Sequence, residues 1–593
     1  MLENEFRILD ILPSDDGNLH APIQCHVRVV CLSDKPSYDT LSYRWGNPDS
    51  TKLIQVDGQP FRVTDNLYAA LLRLRCKDEK RSIWIDQICI DQKNMEEKAV
   101  QVRLMREIYS NCNQCLIWMD EIRDDVSQTD AESILGVLDW MANSDLPTPT
   151  CLASATEFEG PINALKSIAV DDHPWWKRIW TAQEVILPAN KTFLWGPLQL
   201  SWDTLTRCAS AWVGNGIPHE IWHLASRETG PGEIDLFMVI DRSFGWLFCN
   251  VIWINNSHAG TDEAIHTFMK WRCRKASEFR DKIFGLLGLL PPTMKLRYTN
   301  LCDYQTPIEQ VYCAFTLDMI LDNNGLLPLA VQERELLNNT NDQLPYWVSH
   351  MDDLEMLHQV DRYYRLWGYE DYDACGSHHL DKRALTDSLQ ATATNAAFRV
   401  LGVTGVAVDT ITIIGTPILA PEEPARIASA LRSWMEIARK YHGEIEGGLS
   451  ENEFKKTFYT VLVSDCVRNS ELWAVRQPDE DDLSEVEDFV SNGEGLVNGI
   501  DLWDKYVCNQ TFFVTKNGMM GMGNLESEVG DEVWVFDGGR MPFSVRSRGS
   551  ESPDDFTFVG CCYAHGIMEG EAYEARHDDG VGTGVYKRTI RLH

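Results

Sequence analysis

The chain of 593 residues carries 89 acidic and 54 basic side chains, a formal net charge of −35. That balance repels phosphate backbones and no local basic patch offsets it, which argues against a nucleic-acid partner. With 44% apolar and 24% charged residues the chain has globular proportions. At roughly 100–200 residues per domain it is long enough for three or four units.

The first residues, "MLENEFRILDILPSDDGNLH", lack a basic leader followed by an apolar run, and no window approaches 18 uninterrupted apolar residues. The expectation is a cytoplasmic protein with no membrane partner. Seventeen cysteines are scattered without a repeating framework, which fits reduced thiols in an intracellular compartment. Cys112 and Cys115 form a C-x2-C with no second pair at zinc-ribbon spacing, so they read as helix-end or core thiols and no metal site is expected.

In chain order, "YDTLSYRWG" (38–46) reads as a short strand and its exit loop. "LIQVDGQPFRV" has two short runs around Asp57-Gly58, the dipeptide of a tight hairpin. Leu67, Ala70, Leu71 and Leu74 mark one face of a helix that Thr64 or Asp65 caps. "SIWIDQICIDQ" reads as a buried strand ending at Asp86. Asn94 followed by Glu97 resembles a capping box, and Val102, Met105 and Tyr109 share a face of the helix behind it. "CLIWM" (115–119) is a third buried strand.

Strands separated by such helices predict a mainly parallel sheet covered on both faces. Ligands gather beyond the carboxyl ends of the strands in sheets of this kind. Ser42, Tyr43, Arg44, Trp45 and Asp86 fall at those ends.

The α/β region is assigned to 1–200 and a mainly helical region to 201–394, in which "FRDKIFGLLGLLPP" is a helix stopped by glycine and Pro-Pro. A β-rich region, a small barrel or sandwich, follows over 395–593 and is interrupted by an acidic loop at 477–495. No nucleophile elbow, Walker loop or dinucleotide fingerprint occurs. "GMMGMGN" (518–524) reads as turns, and His565, Glu569 and Glu571 as strand and turn residues without a metal.

Several stretches together resemble the fungal heterokaryon-incompatibility (HET) domain family: "YDTLSYRWGNPD" (38–49), "SIWIDQICIDQKNMEEKAVQVRLMREIYSNCNQCLIWM" (82–119) and "WWKRIWTAQEV" (175–185). "RDKIFGLLGL" (280–289), "LPYWV" (344–348) and "GDEVWVFDGG … FVGCCYAHGIMEGE" (530–571) extend the likeness. The chain departs from the pattern where "TAQEV" replaces a more aliphatic stretch and where a polar linker, 121–172, separates the last two domain motifs.

The resemblance implies an effector of regulated cell death in nonself recognition, built on a TIR-like, flavodoxin-like fold. TIR domains carry Ser-Tyr at one strand end, Asp at a later one, and a helix with Trp and Glu. Ser42-Tyr43, Asp86 and Trp180-x-x-x-Glu184 stand in that order here. Some TIR domains split NAD and depend on that glutamate. The implied activity is thus hydrolysis of NAD as substrate, with no further cofactor, in a homo-oligomer that a protein trigger activates.

The residues suit the reaction. The leaving nicotinamide departs neutral, so the barrier is the oxocarbenium-like ribose, which one carboxylate stabilises electrostatically. Trp176, Trp180 and Glu184 at spacings of four share one face if all lie on one helix. Their rings would stack on a base, Ser42 and Arg44 would meet ribose or pyrophosphate, and Asp86 a ribose hydroxyl. The competing readings are core packing for Trp176 and Trp180, turn capping for Asp86, and an ion pair of Glu184 with Lys177 or Arg178. At the level of the whole protein, the alternatives are a non-enzymatic adaptor and a sensor that binds NAD without turnover.

Overall fold

The computed structural model describes residues 4–13, 21–143, 145–169, 173–225, 239–300, 302–331, 344–349, 368–385, 399–419, 423–444, 449–468, 475–493, 507–574 and 587–593. The chain divides into two compact units. The first comprises Met1–Glu263, Lys270–Thr293 and Asn300–Thr306; the second comprises Ala264–Met269, Met294–Thr299 and Pro307–His593. The boundary expected at 200 falls inside the first unit, and the one expected at 395 lies outside the described residues.

The first unit is built on nine strands: β1 (Glu5–Ile11), β2 (Gln24–Cys31), β3 (Asp39–Tyr43), β4 (Thr51–Val56), β5 (Gln59–Thr64), β6 (Arg81–Trp84), β7 (Cys115–Trp118), β8 (Lys191–Trp195) and β9 (Leu198–Ser201). Their order is β5-β4-β2-β1-β6-β3-β7-β8-β9. The central strands β6, β3, β7 and β8 pair in parallel. Ranked by position in the chain, they run 2-1-3-4. Every residue of β7 is buried, as expected where both faces of a parallel sheet are covered.

The expectation of a mainly parallel sheet needs correction, because β1–β2, β1–β6, β4–β5 and β8–β9 are antiparallel. The N-terminal run "EFRILDI" forms a strand whose alternate residues bury Phe6 and Ile8, and it docks against β6. Pairing to a strand far along the chain leaves no local signal.

Local elements follow the sequence closely. Asp57 and Gly58 both adopt positive φ, +51° and +74°, as a type I′ hairpin requires. Helix α1 (Asp65–Leu74) is capped by Thr64, whose side chain accepts from Leu67 N–H, and buries the four residues expected. A single turn, α2 (Asp86–Cys89), begins at Asp86, so the strand stops at Trp84, slightly earlier than expected. Asn94 caps α3 (Met95–Ser110), but only half a capping box forms. The Glu97 carboxylate turns instead to Arg7 and to Asp91 N–H.

The expected polar linker 121–172 contains two helices, α4 (Gln128–Ala142) and α5 (Ala155–Ile168). Each buries one apolar stripe, Ile134 and Leu138 in α4 and Ile162 and Leu165 in α5, so the polar composition belongs to their solvated faces. Next come a 3-10 turn, Pro174–Lys177, the short helix α6 (Trp180–Ile186) and, after β9, α7 (Trp202–Asn215). The "FRDKIFGLL" segment is a helix, Phe279–Leu287, with Gly288 at its C-cap.

In the second unit, the long strand β10 (Leu401–Ile414) closes a ring. It pairs with both β15 (Glu532–Phe536) and β19 (Arg588–Leu592), while β16 (Phe543–Ser547) and β17 (Asp555–Cys561) complete the circuit. Of the two β-rich options, the chain adopts the barrel. A ladder of β13 (Gln510–Thr515), β14 (Met520–Asn524) and β18 (Tyr563–Ala564) extends from β10, and β11 (Val467–Arg468) pairs with β12 (Val475–Arg476) apart from it.

Trp534, Phe536, Phe543 and Phe558 are fully buried within it. "GMMGMGN", expected as turns, contributes β14; the turn is confined to Gly518 at φ +88°. The expected acidic loop is also corrected: Glu480–Asn492 is a helix with an Asp479/Asp482 capping box that buries Val486, Phe489 and Val490. Residues 494–495 of that loop lie outside the described residues. Among the described residues no helix is long and apolar enough to cross a membrane.

Candidate functional site

Glu184 lies on α6 and is 4% exposed. Ser42 Oγ, on the buried strand β3, donates to Glu184 Oε2 at 2.5 Å and accepts from Trp175 Nε1–H at 2.9 Å. Since an indole only donates, the direction of this chain is fixed: Trp175 to Ser42 to Glu184. Burial pushes the Glu184 carboxyl up to about 7, with Asp86 adding to the rise and Arg178, the Ser42 hydroxyl and Arg274 opposing it. A carboxyl that titrates near neutrality is a functional-site signal.

Trp176, Trp180 and Glu184 do not share one helix. Pro174 opens a 3-10 turn, Arg178 leaves it in an extended conformation, and α6 starts only at Trp180. Trp176 is 1% exposed, donates to Ile168 O at 2.9 Å and packs edge-on against Trp175. It therefore sits in the core, and its neighbour Trp175 reaches Ser42. No salt bridge joins Glu184 to Lys177 or Arg178; the Arg178 guanidinium donates to Tyr43 O instead. Tyr43 is buried, its hydroxyl directed at Gln87 Oε1.

A cleft of about 700 Å³ opens beyond the carboxyl ends of β3 and β6. Arg44, Trp45, Asp86, Arg178 and Trp180 line it, whereas Ser42, Tyr43, Trp176 and Glu184 do not. Asp86 accepts Trp45 Nε1–H at Oδ2 and Gln87 N–H at Oδ1, both at 2.7 Å. It thus accepts the next backbone N–H without capping the turn, whose N-cap is Ile85, and also fixes a cleft indole. Arg44 pairs with Asp120, which also accepts from His173 Nε2 at 3.2 Å. Burial raises the Asp120 pKa, but the hydrogen bond from His173 and the charge of Arg44 bring the net value below its ordinary level.

The opposite wall comes from residues the sequence did not single out: Lys98, Lys275, Glu278, Asp281 and Tyr304. Asp281 lies in "RDKIFGLLGL", a motif read as a helix and as part of the family likeness but not as a site, and that motif was the available signal. Four cations, Arg44, Lys98, Arg178 and Lys275, thus converge with three carboxylates on one cleft of a strongly acidic chain. Such a cleft suits a ligand with anionic oxygens and hydroxyls.

Residues 38–184 match the family described as heterokaryon incompatibility protein (HET), and residues 500–579 match the Het-6 beta-barrel domain. The HET match ends at Glu184, so the Lys275–Asp281 and Tyr304 wall lies beyond it. The whole chain is similar to "Heterokaryon incompatibility protein 6, OR allele" of Neurospora crassa. The two are 25% identical over 670 aligned residues, covering 95% of this chain and 94% of that protein. These likenesses support a heterokaryon-incompatibility protein. No solved structure matches the chain.

Proposed function

We propose that the HET-containing unit binds NAD in this cleft and hydrolyses the nicotinamide–ribose bond, as the toxic step of cell death in fungal nonself recognition. The observation that carries the reading is the convergence of four cations, Asp86 and the indoles of Trp45 and Trp180 on one cleft at the ends of β3 and β6. The 2-1-3-4 order of the parallel strands supports a TIR-like core, being the flavodoxin-like order without its last strand. Water adds to the ribose carbon, nicotinamide leaves with the bonding pair, and ADP-ribose and a proton remain.

Glu184 would stabilise the cationic ribose, for which it must be ionised and reach the cleft. In the described packing it is buried against Ser42 and is substantially protonated near neutral pH. Activation by self-association or a protein trigger therefore belongs to the proposal: it would bring the carboxylate to the ribose. Arg44, Arg178 and Lys275 would hold the pyrophosphate.

The same burial favours a second reading, in which the protein binds NAD without turnover or acts as an adaptor through assembly alone. Nicotinamide release from NAD by the full chain, wild type against Glu184→Gln, separates them. Release by wild type and its loss in the variant is the expected result. An assembled wild-type protein that releases none overturns the enzymatic reading.

A further inference from the structure

Asp281 occupies the wall of the cleft contributed from beyond the HET match, on the helix Phe279–Leu287. Tyr304 Oη donates to its Oδ1 at 2.7 Å, and the Trp180 side chain stands near enough to the same carboxylate to oppose the rise that burial gives its pKa. Tyr304 is also held by Phe284, edge-on with ring centroids 5.3 Å apart, and Lys98 Nζ stands 4.5 Å from its ring centre. Trp180, Tyr304 and Lys98 all line the cleft. One acid thus fixes the Tyr304 ring by its polar edge, as Asp86 fixes Trp45, and neighbours the Trp180 indole across the same cleft.

An indole or phenol tied at its polar edge keeps its orientation but leaves its face available for stacking. Such a ring loses little freedom when a flat ligand lies against it, which raises affinity through preorganisation. Phosphate recognition needs no aromatic anchoring, since the cations of the cleft perform it.

We propose that Asp281 is a positioning residue that presents Trp180 and Tyr304 to a planar heteroaromatic ring, the base of a nucleotide ligand. This rests on the nucleotide reading above and assigns base recognition to a segment outside residues 38–184. Asp281 does not touch the reacting atoms in this assignment; it acts through the two rings.

The test uses the full chain and measures binding of ADP-ribose, adenosine, nicotinamide and inorganic pyrophosphate. Wild type should bind at least one ring-bearing probe. Asp281→Asn should weaken that binding about ten-fold, within the range that losing a base–aromatic stack produces, and leave pyrophosphate binding unchanged. Tyr304→Phe, a milder change that keeps the ring, should weaken the same probe by a smaller factor. The double variant should be no worse than Asp281→Asn alone. Near-ultraviolet circular dichroism should show the Trp180 band, assigned by its loss in Trp180→Phe, altered in Asp281→Asn.

Equal binding of the ring-bearing probes by Asp281→Asn and wild type overturns the inference. So does a parallel loss of pyrophosphate binding, or a wild-type protein that binds pyrophosphate but no ring-bearing probe. Should wild type bind ADP-ribose with the expected dependence on Asp281 yet release no nicotinamide from NAD, the hydrolysis reading fails and the assignment of Asp281 stands.

Discussion

Ser42 and Glu184, 142 positions apart in the chain, are joined by a 2.5 Å hydrogen bond in the buried heart of the region that matches the HET family. The contact ties α6 to β3 and defines the resting state of the acid. Serine supplies the O–H, and Trp175 satisfies the serine oxygen in turn. Replacing Ser42 by Ala removes a donor to the acid and an acceptor for the indole at one stroke. Each buried group left without a partner costs about 1–3 kcal/mol. Ser42→Ala should therefore lower the melting temperature clearly and, because the serine hydrogen bond opposes the rise in the Glu184 pKa, move that pKa further upward. Denaturant unfolding together with the pH midpoint of stability checks both; an unchanged midpoint refutes the second effect.

Glu184 makes stability depend on pH in a definite direction. Its folded value of about 7 lies above the ordinary 4.5, so between these limits the folded state holds a proton that the unfolded chain has released. Stability is then greatest below about 4.5, falls as pH rises toward 7, and levels off above it. At about 1.4 kcal/mol per unit the full loss is roughly 3 kcal/mol. Glu184→Gln cannot ionise, so its melting temperature should fall less than wild type between pH 5 and 8. Identical slopes for the two proteins would show that the acid does not titrate in this range.

The strand ends were legible in the sequence because their causes are local. "DTLSY" and "RSIW" are apolar runs that stop at polar turns, and α1 shows its buried face at helical spacing. The role of Trp175 was not legible, since one residue decides which tryptophan meets Ser42. That choice depends on the break at Arg178 between the 3-10 turn and α6. The wall holding Asp281 escaped for another reason: it packs beside Trp180, about a hundred positions earlier in the chain, and periodicity carries no information on what an element packs against.

The glycines of "FGLLGL" acquire a physical role from the same packing. A Cβ on Gly288 would stand 2.6 Å from Gln183 Cδ, and one on Gly285 would stand 2.9 Å from Ile179 Cγ1. Gln183 Nε2 donates to Gly285 O at 2.8 Å, so the helix Phe279–Leu287 approaches α6 at backbone distance. Gly288→Ala and Gly285→Ala should each cost about 1–3 kcal/mol by overpacking. Because α6 carries Glu184, they should also depress any nicotinamide release. Wild-type stability in both variants, measured by urea unfolding, would show that α6 yields freely.

Asp120 should give the opposite pH signature to Glu184. Its folded pKa lies below the ordinary value: burial raises it, and the His173 hydrogen bond with the Arg44 charge more than offsets that. A depressed acid contributes stability that is fully present above its unfolded value and is lost as pH falls through its folded one. Asp120→Asn removes that contribution and leaves Arg44 and His173 without their carboxylate. His173 in turn accepts Trp175 N–H at Nδ1, at 3.3 Å, so the change reaches the residue that holds Ser42. The variant should be less stable than wild type at pH 6, and the gap should narrow as pH falls below the ordinary carboxylate value and the wild-type acid takes up its proton. Melting curves across that range decide it. A gap that stays constant with pH would mean that Asp120 acts by shape alone and that its charge contributes nothing to the Arg44 loop.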